Sequence, residues 1–271
     1  MLFHGCRMNA VAIIPARYGS TRFPGKPLAR ETGKYLIQHV YERAAAARLV
    51  QRCLVATDDV RILEAVRSFG GEAVLTRADH VSGTDRIAEV VRGMMGSGQN
   101  IAGKPAGGID IVLNVQGDEP EIEPAYLDRL VERLSAEPDC PVATLACPFP
   151  AGTDPADANC VKVVRNRSGR ALYFSRALIP FPRDGIAAGS GEGWLLHLGV
   201  YAYRTDFLLE LASWPPTPLE RVEKLEQLRV LETGRSIAVE LVDQAGVGID
   251  TPADYERFVA RWRATGGAPV A

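Results

Sequence analysis

Short apolar runs alternate with segments of helical periodicity through the first half of this chain. Predicted strands cover residues 10–14, 53–57, 73–76 and 109–115. Predicted helices cover 35–47, 60–69 and 84–95, and a further helix begins at Pro124. Parallel neighbours need a crossover connection, which is usually a helix, so this alternation predicts an α/β fold with a mainly parallel sheet between helices.

The second half of the chain follows a different pattern. Residues 159–180 read as two strands around a turn at 166–169, which predicts an antiparallel excursion. Further strands are expected at 142–150, 197–204 and 237–242, with a helix over 219–232 and another that begins with Thr251 and Pro252. We therefore expect one domain over 9–265, in which 160–205 form the excursion. The glycine-rich stretch 96–108 is predicted to be a surface loop, and 266–271 a frayed end.

Composition narrows the class of protein. A net charge of −2 and an isoelectric point near 6.1 give no basic surplus for nucleic acid or a membrane surface. No apolar run approaches the roughly 20 residues of a membrane span, and too few residues precede the first strand for a secretory signal. Met8 is a second candidate start.

The five cysteines form no CxxC pair, which is typical of free thiols in a reducing compartment. We expect a soluble, cytoplasmic protein.

The stretch AIIPARYGSTRFPGKPL, residues 12–28, places three cations directly after the first strand. It is not a P-loop, because five residues instead of four separate Gly19 from Gly25, and Pro27 replaces the hydroxyl that would bind magnesium. Arg17, Arg22 and Lys26 nevertheless lie within ten residues, among small residues that let a ligand approach the backbone. A solvated surface loop is the alternative interpretation.

Carboxylates follow other predicted strands. In open α/β sheets ligands bind beyond the carboxyl ends of the strands, where Asp118 of QGDEP and Asp250 of GIDTPADY are expected. Two carboxylates beside clustered cations suggest a polyphosphate with Mg²⁺, which takes oxygen ligands. Each aspartate alone could instead stabilise a turn or begin a helix.

Several motifs in order resemble the 3-deoxy-D-manno-octulosonate (Kdo) cytidylyltransferases, over residues 9 to 259. The motifs are IIPARYGSTRFPGKPL, TRADHVSGTDR, LNVQGDEP, ALYFSR, HLGVYAYR, VEKLEQLRVLE and GIDTPADYE. The resemblance implies a transferase with a three-layer nucleotidyltransferase sandwich, which uses Mg²⁺ to join CTP and Kdo into CMP-Kdo and pyrophosphate. It also implies a role in lipopolysaccharide biosynthesis and a homodimer to which the excursion contributes.

The resemblance assigns residues to three groups. The catalytic residues would be Arg17, Lys26, Asp118 and Asp250, the two aspartates being the metal ligands. Nucleotide contacts would come from Pro15, Ala16, Arg17, Ser20, Lys26, Arg77, Ser82 and Gln116. The sugar would meet Arg176, His197, Tyr201, Glu226 and Gln227.

One departure bears on the sugar site. Leu196 stands before the histidine of HLG, where a basic residue is usual in the family, so the fine sugar preference is open. A cytidylyltransferase for another acidic sugar, such as a sialic acid or 8-amino-Kdo, is one alternative. A non-catalytic nucleotide-binding module on the same fold is another, although Lys26, Asp118 and Asp250 are all present.

Overall fold

A computed structural model describes residues 8–96, 108–150, 152–184 and 193–267. The chain divides into two compact units, the first formed by Met1–Val131 and Gly246–Ala271, the second by Glu132–Ala245. Each unit is described by itself, and the single domain expected over 9–265 stays a prediction. Most of the predicted loop 96–108 and most of the frayed end lie outside the described residues.

The described elements follow the predicted order closely. The strands are β1 (Ala10–Ala16), β2 (Val50–Thr57), β3 (Ala73–Leu75), β4 (Ile111–Asn114), β5 (Val142–Pro148), β6 (Lys162–Arg165), β7 (Ala171–Ser175), β8 (Leu195–Arg204) and β9 (Ile237–Leu241). The helices are α1 (Leu36–Ala45), α2 (Val60–Ser68), α3 (Gly83–Gly96), α4 (Pro124–Ala136), α5 (Thr205–Leu211), α6 (Pro218–Glu223), α7 (Gln227–Glu232) and α8 (Pro252–Ala264).

In the first unit, β1 lies between β2 and β4, and β3 pairs with the other edge of β2. All of these pairs are parallel, as the alternation predicted. Ile13, Leu54 and Leu113 have no exposed surface, because helices cover parallel strands on both faces. The carboxyl ends of β1 and β4 therefore open at the same edge.

The end of the chain packs back onto the first unit. Thr251 and Asp254 form a capping box that begins α8, and Pro252 occupies its first turn, as predicted. Tyr255 and Phe258 of this helix form a buried cluster with Leu36 and Ile249. This packing fixes the position of the segment that carries Asp250.

In the second unit, β5 pairs parallel with β9 and antiparallel with β8. The strands β6 and β7 pair antiparallel with each other, and β6 also pairs with β8. The predicted antiparallel excursion is confirmed. So is the α/β class with mixed, mostly parallel strand pairing.

One predicted helix was wrong. The expected helix 219–232 is two short helices, α6 and α7, because Lys224 adopts a left-handed backbone conformation with φ of 54°. The interruption leaves the backbone carbonyl of Glu223 free to accept a hydrogen bond from the Arg176 Nε at 2.8 Å. A tertiary contact thus accompanies the break that the apolar spacing of the sequence did not indicate.

None of the described helices is long and apolar enough to cross a membrane. Among the described cysteines, Cys53, Cys140 and Cys147 are buried free thiols, and Cys160 is a partly exposed free thiol. Cys6 lies outside the described residues.

Candidate active site

A cleft of about 400 Å³ opens at the carboxyl ends of β1 and β4 in the first unit. Its lining residues come from the end of β1, from the loops that follow β1 and β4, and from the segment before α8. Eight of the predicted nucleotide and metal residues are among them: Pro15, Ala16, Arg17, Ser20, Lys26, Gln116, Asp118 and Asp250. The structure therefore brings the basic loop and both candidate metal ligands to one cavity.

A contact between Tyr18 and Gly25 stabilises the conformation of the basic loop that follows β1. Gly25 has φ of 71°, and its N–H donates to the Tyr18 carbonyl at 3.1 Å. A Cβ at this position would lie 3.1 Å from the Tyr18 ring, so both the conformation and the space favour glycine. The Arg61 guanidinium stacks 3.5 Å from the centroid of the same ring. Tyr18 thus anchors the loop that presents Arg17 and Lys26.

Each candidate metal carboxylate is paired with a cation of this loop. The Lys26 Nζ lies 2.8 Å from Asp118 Oδ2 and 2.6 Å from the Ile249 carbonyl oxygen. Arg22 donates to Asp250 Oδ1 at 2.8 Å. The Ile249 N–H also donates to the Asp118 carbonyl at 2.9 Å, which holds the two acidic segments together through their backbones.

Arg17 is the exception among the loop cations. Its side chain is exposed, and no ion pair joins it to any residue that the structure describes. It lines the cleft together with Ser20 and Gln116. An unpaired cation at the end of a strand is a ready contact for an anionic group of a ligand.

Glu119 is a site residue that sequence reasoning missed. Desolvation in its packed surroundings, together with the nearby Asp118 and Asp250 carboxylates, raises its pKa to about 8. A Cβ on Gly248 would lie 3.1 Å from Glu119 Oε1, which shows how closely the backbone approaches. Three acidic side chains therefore act on one another at this end of the cleft. In the sequence, the position of Glu119 directly after Asp118 was the feature that could have identified it.

A second cavity of about 250 Å³ shares Pro15, Ala16, Arg17 and Gln116 with the cleft. Ser82, a predicted nucleotide contact, also lines it. So does Arg86, which sequence reasoning did not select; its buried guanidinium donates to Asp58 Oδ2 at 2.7 Å and to Thr76 Oγ1 at 2.5 Å. The arginine of SGTDR was the signal for this residue.

Arg77 lies outside the lining of both cavities. Its guanidinium is exposed, with Nε 3.4 Å from Asp79 Oδ1 and 3.7 Å from Glu89 Oε2. The nucleotide contact expected from Arg77 stays a prediction.

The five predicted sugar residues all belong to the second unit. His197 Nε2 lies 3.1 Å from Thr144 Oγ1, and its ring packs 4.9 Å from that of Phe174 and 5.4 Å from that of Tyr201. Burial lowers the pKa of His197 to about 3, so the ring is neutral at physiological pH. Burial also raises the pKa of Tyr201, and the charge of Glu226 adds to the rise. The structure thus brings His197, Tyr201 and Glu226 together.

Arg176 and Gln227 complete the predicted set. The Arg176 guanidinium donates to the carbonyl oxygens of Glu223 at 2.8 Å and Ala158 at 2.9 Å. No carboxylate pairs with it among the described residues. The Nε2 of Gln227 is buried without a hydrogen-bond partner in the described part of the chain. A buried donor without an acceptor is costly in a folded protein, so this atom suits a ligand.

Comparison with known proteins gives consistent results. The family described as Cytidylyltransferase matches residues 11–237. The 3-deoxy-manno-octulosonate cytidylyltransferase of Syntrophobacter fumaroxidans is 52% identical over 252 residues, covering 93% of this chain and 96% of the relative. That of Syntrophotalea carbinolica is 48% identical over 261 residues, covering 94% and 99%. A solved structure of CMP:2-keto-3-deoxy-manno-octonic acid synthetase complexed with CTP is 44% identical, with a TM-score of 0.84 and coverage of 95% and 99%.

Proposed function

The chain belongs to the 3-deoxy-manno-octulosonate cytidylyltransferase family and is a nucleotidyltransferase that transfers CMP from CTP to Kdo, and we propose that the cleft lined by Arg17, Lys26, Asp118 and Asp250 is where it does so. One observation carries this assignment. A single cavity holds an unpaired exposed cation, a nearly buried lysine and two carboxylates. A nucleoside triphosphate with a divalent cation needs this combination of charges.

The nucleotide occupies the cleft and the smaller cavity that adjoins it. Arg17 and Lys26 bind the phosphates, with Ser20 and the backbone of Pro15 and Ala16 beside them. Ser82 and Gln116 lie at the second cavity, which is the place for the ribose and the pyrimidine. Arg77 is paired with Asp79 and Glu89 in this structure, and its proposed contact with the nucleotide is a further point to test.

The donor set fits a magnesium ion. Asp118 and Asp250 offer carboxylate oxygens to the same cavity, and Mg²⁺ is usually held by one or two carboxylates together with substrate phosphates. Burial is the largest cause of the raised pKa of Glu119, and the carboxylates of Asp118 and Asp250 add to it, so negative charges act together at a place where a divalent cation would neutralise them. Asp118 and Asp250 would hold the ion, which when bound supplies positive charge to the phosphates and to the attacking hydroxyl.

The reaction requires little covalent chemistry from the protein. The anomeric hydroxyl of Kdo attacks the α-phosphorus and gives its proton to solvent water, and the bond to pyrophosphate breaks. Lys26 and Arg17 stabilise the negative charge that develops on the leaving pyrophosphate, because preorganised cations are most effective in a partly desolvated site. On the sugar side, Arg176 binds the Kdo carboxylate, and the neutral His197 and the Nε2 of Gln227 contact its hydroxyl groups.

The other acidic-sugar alternatives are not favoured, since the relatives at 48–52% identity are named for 3-deoxy-manno-octulosonate. We further propose that the enzyme acts in the cytoplasm, where CTP is made, and supplies activated Kdo for lipopolysaccharide. We also propose a homodimer to which 160–205 contribute. Leu172 and Phe181 of this stretch support the dimer, with 61% and 80% of their surfaces exposed.

Release of pyrophosphate tests the function directly. The purified protein is incubated with CTP, Mg²⁺ and, in turn, Kdo, 8-amino-Kdo and a sialic acid. We expect turnover with Kdo to exceed that with the other sugars, and Lys26→Met to lose most of it, while Lys34→Met, which removes a partly exposed lysine outside the cleft, retains it. Preference for another sugar would overturn the substrate assignment, and full activity of Lys26→Met would overturn the site.

A further inference from the structure

Lys162 is a buried lysine that the proposed chemistry does not use. It lies at the start of β6 with no exposed surface and is among the largest fully buried side chains of the protein. A buried ammonium is normally paired with a carboxylate. In the described part of the chain, no carboxylate lies within salt-bridge distance of Lys162.

Backbone carbonyls take the place of the missing carboxylate. The Nζ of Lys162 donates to the carbonyl oxygens of Cys160 at 2.5 Å, Arg176 at 2.6 Å and Asp157 at 3.0 Å. These three bonds use all three donors of the ammonium. Lys162 therefore joins the 157–160 turn to the residue that follows β7.

Both of the segments that Lys162 joins are bonded to Arg176 or include it. One bond from Lys162 holds the backbone carbonyl of Arg176 itself. The other two hold the turn whose Ala158 carbonyl accepts a hydrogen bond from Arg176 Nη1 at 2.9 Å. Lys162 thus supports the main chain of Arg176 and one of the two carbonyls that orient its guanidinium.

Glu223 supplies the remaining support. Its Oε2 accepts a hydrogen bond from the Arg176 backbone N–H at 3.0 Å, and its carbonyl accepts one from Arg176 Nε. With Nε and Nη1 committed to carbonyls, Nη2 has no hydrogen-bond partner among the described residues. The guanidinium is fixed by neutral oxygens and keeps its full charge for an anion.

We propose that Lys162 is a positioning residue that holds Arg176 in the orientation in which it binds the carboxylate of the acidic sugar. The proposal rests on the proposed function, in which Arg176 is the contact to the Kdo carboxylate. Because carbonyl oxygens rather than a carboxylate anchor the lysine, no further acid is added beside Glu223, whose carboxylate already accepts a hydrogen bond from the Arg176 backbone N–H.

Kinetics of a double-mutant cycle test the proposal. Lys162→Met removes the ammonium with little change in volume, and Lys162→Gln retains an amide that can donate two hydrogen bonds. We expect Lys162→Met to lower kcat/KM for Kdo by about tenfold or more, and Lys162→Gln by less, while KM for CTP stays within about twofold of the wild type. In an Arg176→Ala background, Lys162→Met should cause almost no further loss, because both changes remove the same interaction.

The outcomes separate this inference from the proposed function. If Arg176→Ala alone leaves KM for Kdo unchanged, the role of Arg176 in the proposed function is wrong, and the role of Lys162 falls with it. If Arg176→Ala weakens Kdo use but Lys162→Met adds its full effect in that background, only the positioning role is overturned. Equal loss of CTP and Kdo use in the Lys162 variants would also overturn it. Should Lys162→Met not fold, the cycle uses Lys162→Gln, and failure of both variants to fold would make Lys162 purely structural. Lys34→Met serves as the control for removal of a lysine charge.

Discussion

Replacing Asp118 by asparagine would separate the role of its charge in catalysis from its role in the fold. Asparagine has the same size and keeps an oxygen that can accept a hydrogen bond from Lys26 Nζ, now 2.8 Å from Asp118 Oδ2. The Asp118 backbone carbonyl would still accept a hydrogen bond from the Ile249 N–H. The substitution therefore removes charge while leaving the local hydrogen bonds in place.

The effect on stability is expected to be small, since two contributions oppose each other. The Lys26–Asp118 pair is partly exposed, at 12% and 33%, so the lost attraction is worth about 1 kcal/mol after screening by solvent. Against this, Asp118 raises the pKa of Glu119, which shows that its charge disfavours the neighbouring acid. We expect the free energy of unfolding to change by less than about 1 kcal/mol.

Catalysis should respond much more strongly. Loss of one of two candidate metal carboxylates removes negative charge where the triphosphate and its cation must bind, and we expect kcat/KM to fall by about 100-fold or more. The assay is pyrophosphate release from CTP and Kdo at increasing Mg²⁺, together with urea unfolding of the same samples. Asp139→Asn, which removes an exposed carboxylate paired with Arg170, is the matched control. Near wild-type turnover at saturating Mg²⁺ would refute the reasoning, as would a loss of stability above about 3 kcal/mol.

Four further results would test the assignments. Arg176→Ala should weaken Kdo use without changing CTP affinity measured by calorimetry, because the residues proposed to bind the triphosphate lie in the first unit; equal losses would contradict this. Steady-state kinetics should show CTP preferred over ATP and GTP by orders of magnitude, and over UTP by less; similar kcat/KM for ATP would show that the base pocket is misplaced. Burial lowers the pKa of His39 from 6.5 to about 4, so the unfolded chain binds a proton more readily in this window and stability should fall as the pH is lowered through it. Unfolding at pH 7 and pH 5 should show a smaller fall for His39→Gln, and an unchanged fall would exclude His39 as the cause. Lys224→Gly should raise the free energy of unfolding by about 0.5 kcal/mol, since glycine adopts φ of 54° without strain, and a decrease measured in urea would contradict this.

The parallel strands of the first unit were predictable because their apolar runs and turn residues are local signals. Asp118 and Asp250 could be placed at one cleft by the rule that ligands bind beyond the carboxyl ends of the strands. The break at Lys224 could not be predicted, since the residues around it have ordinary helical spacing and the break accompanies a contact with Arg176. A local pattern carries no information on that contact.

The electrostatic details of the site were also beyond the sequence. The raised pKa of Glu119 depends on burial and on a carboxylate from the other end of the first unit. The pairing of Arg77 with Asp79 and Glu89 depends on how the loop after β3 lies against α3. Both features arise from tertiary packing, which residue types and spacing do not specify. Arg86, by contrast, lies within a motif that sequence analysis had already singled out.

The cleft joins segments that lie far apart in the chain. Lys26 donates a hydrogen bond to the carbonyl oxygen of Ile249, which lies 223 residues later and beyond the whole of the second unit. During synthesis the basic loop is therefore made well before the segment that holds Ile249 and Asp250. A chain that stops before that segment would have the loop but only one of the two carboxylates that we propose as metal ligands. We expect such truncated products to be unable to consume CTP.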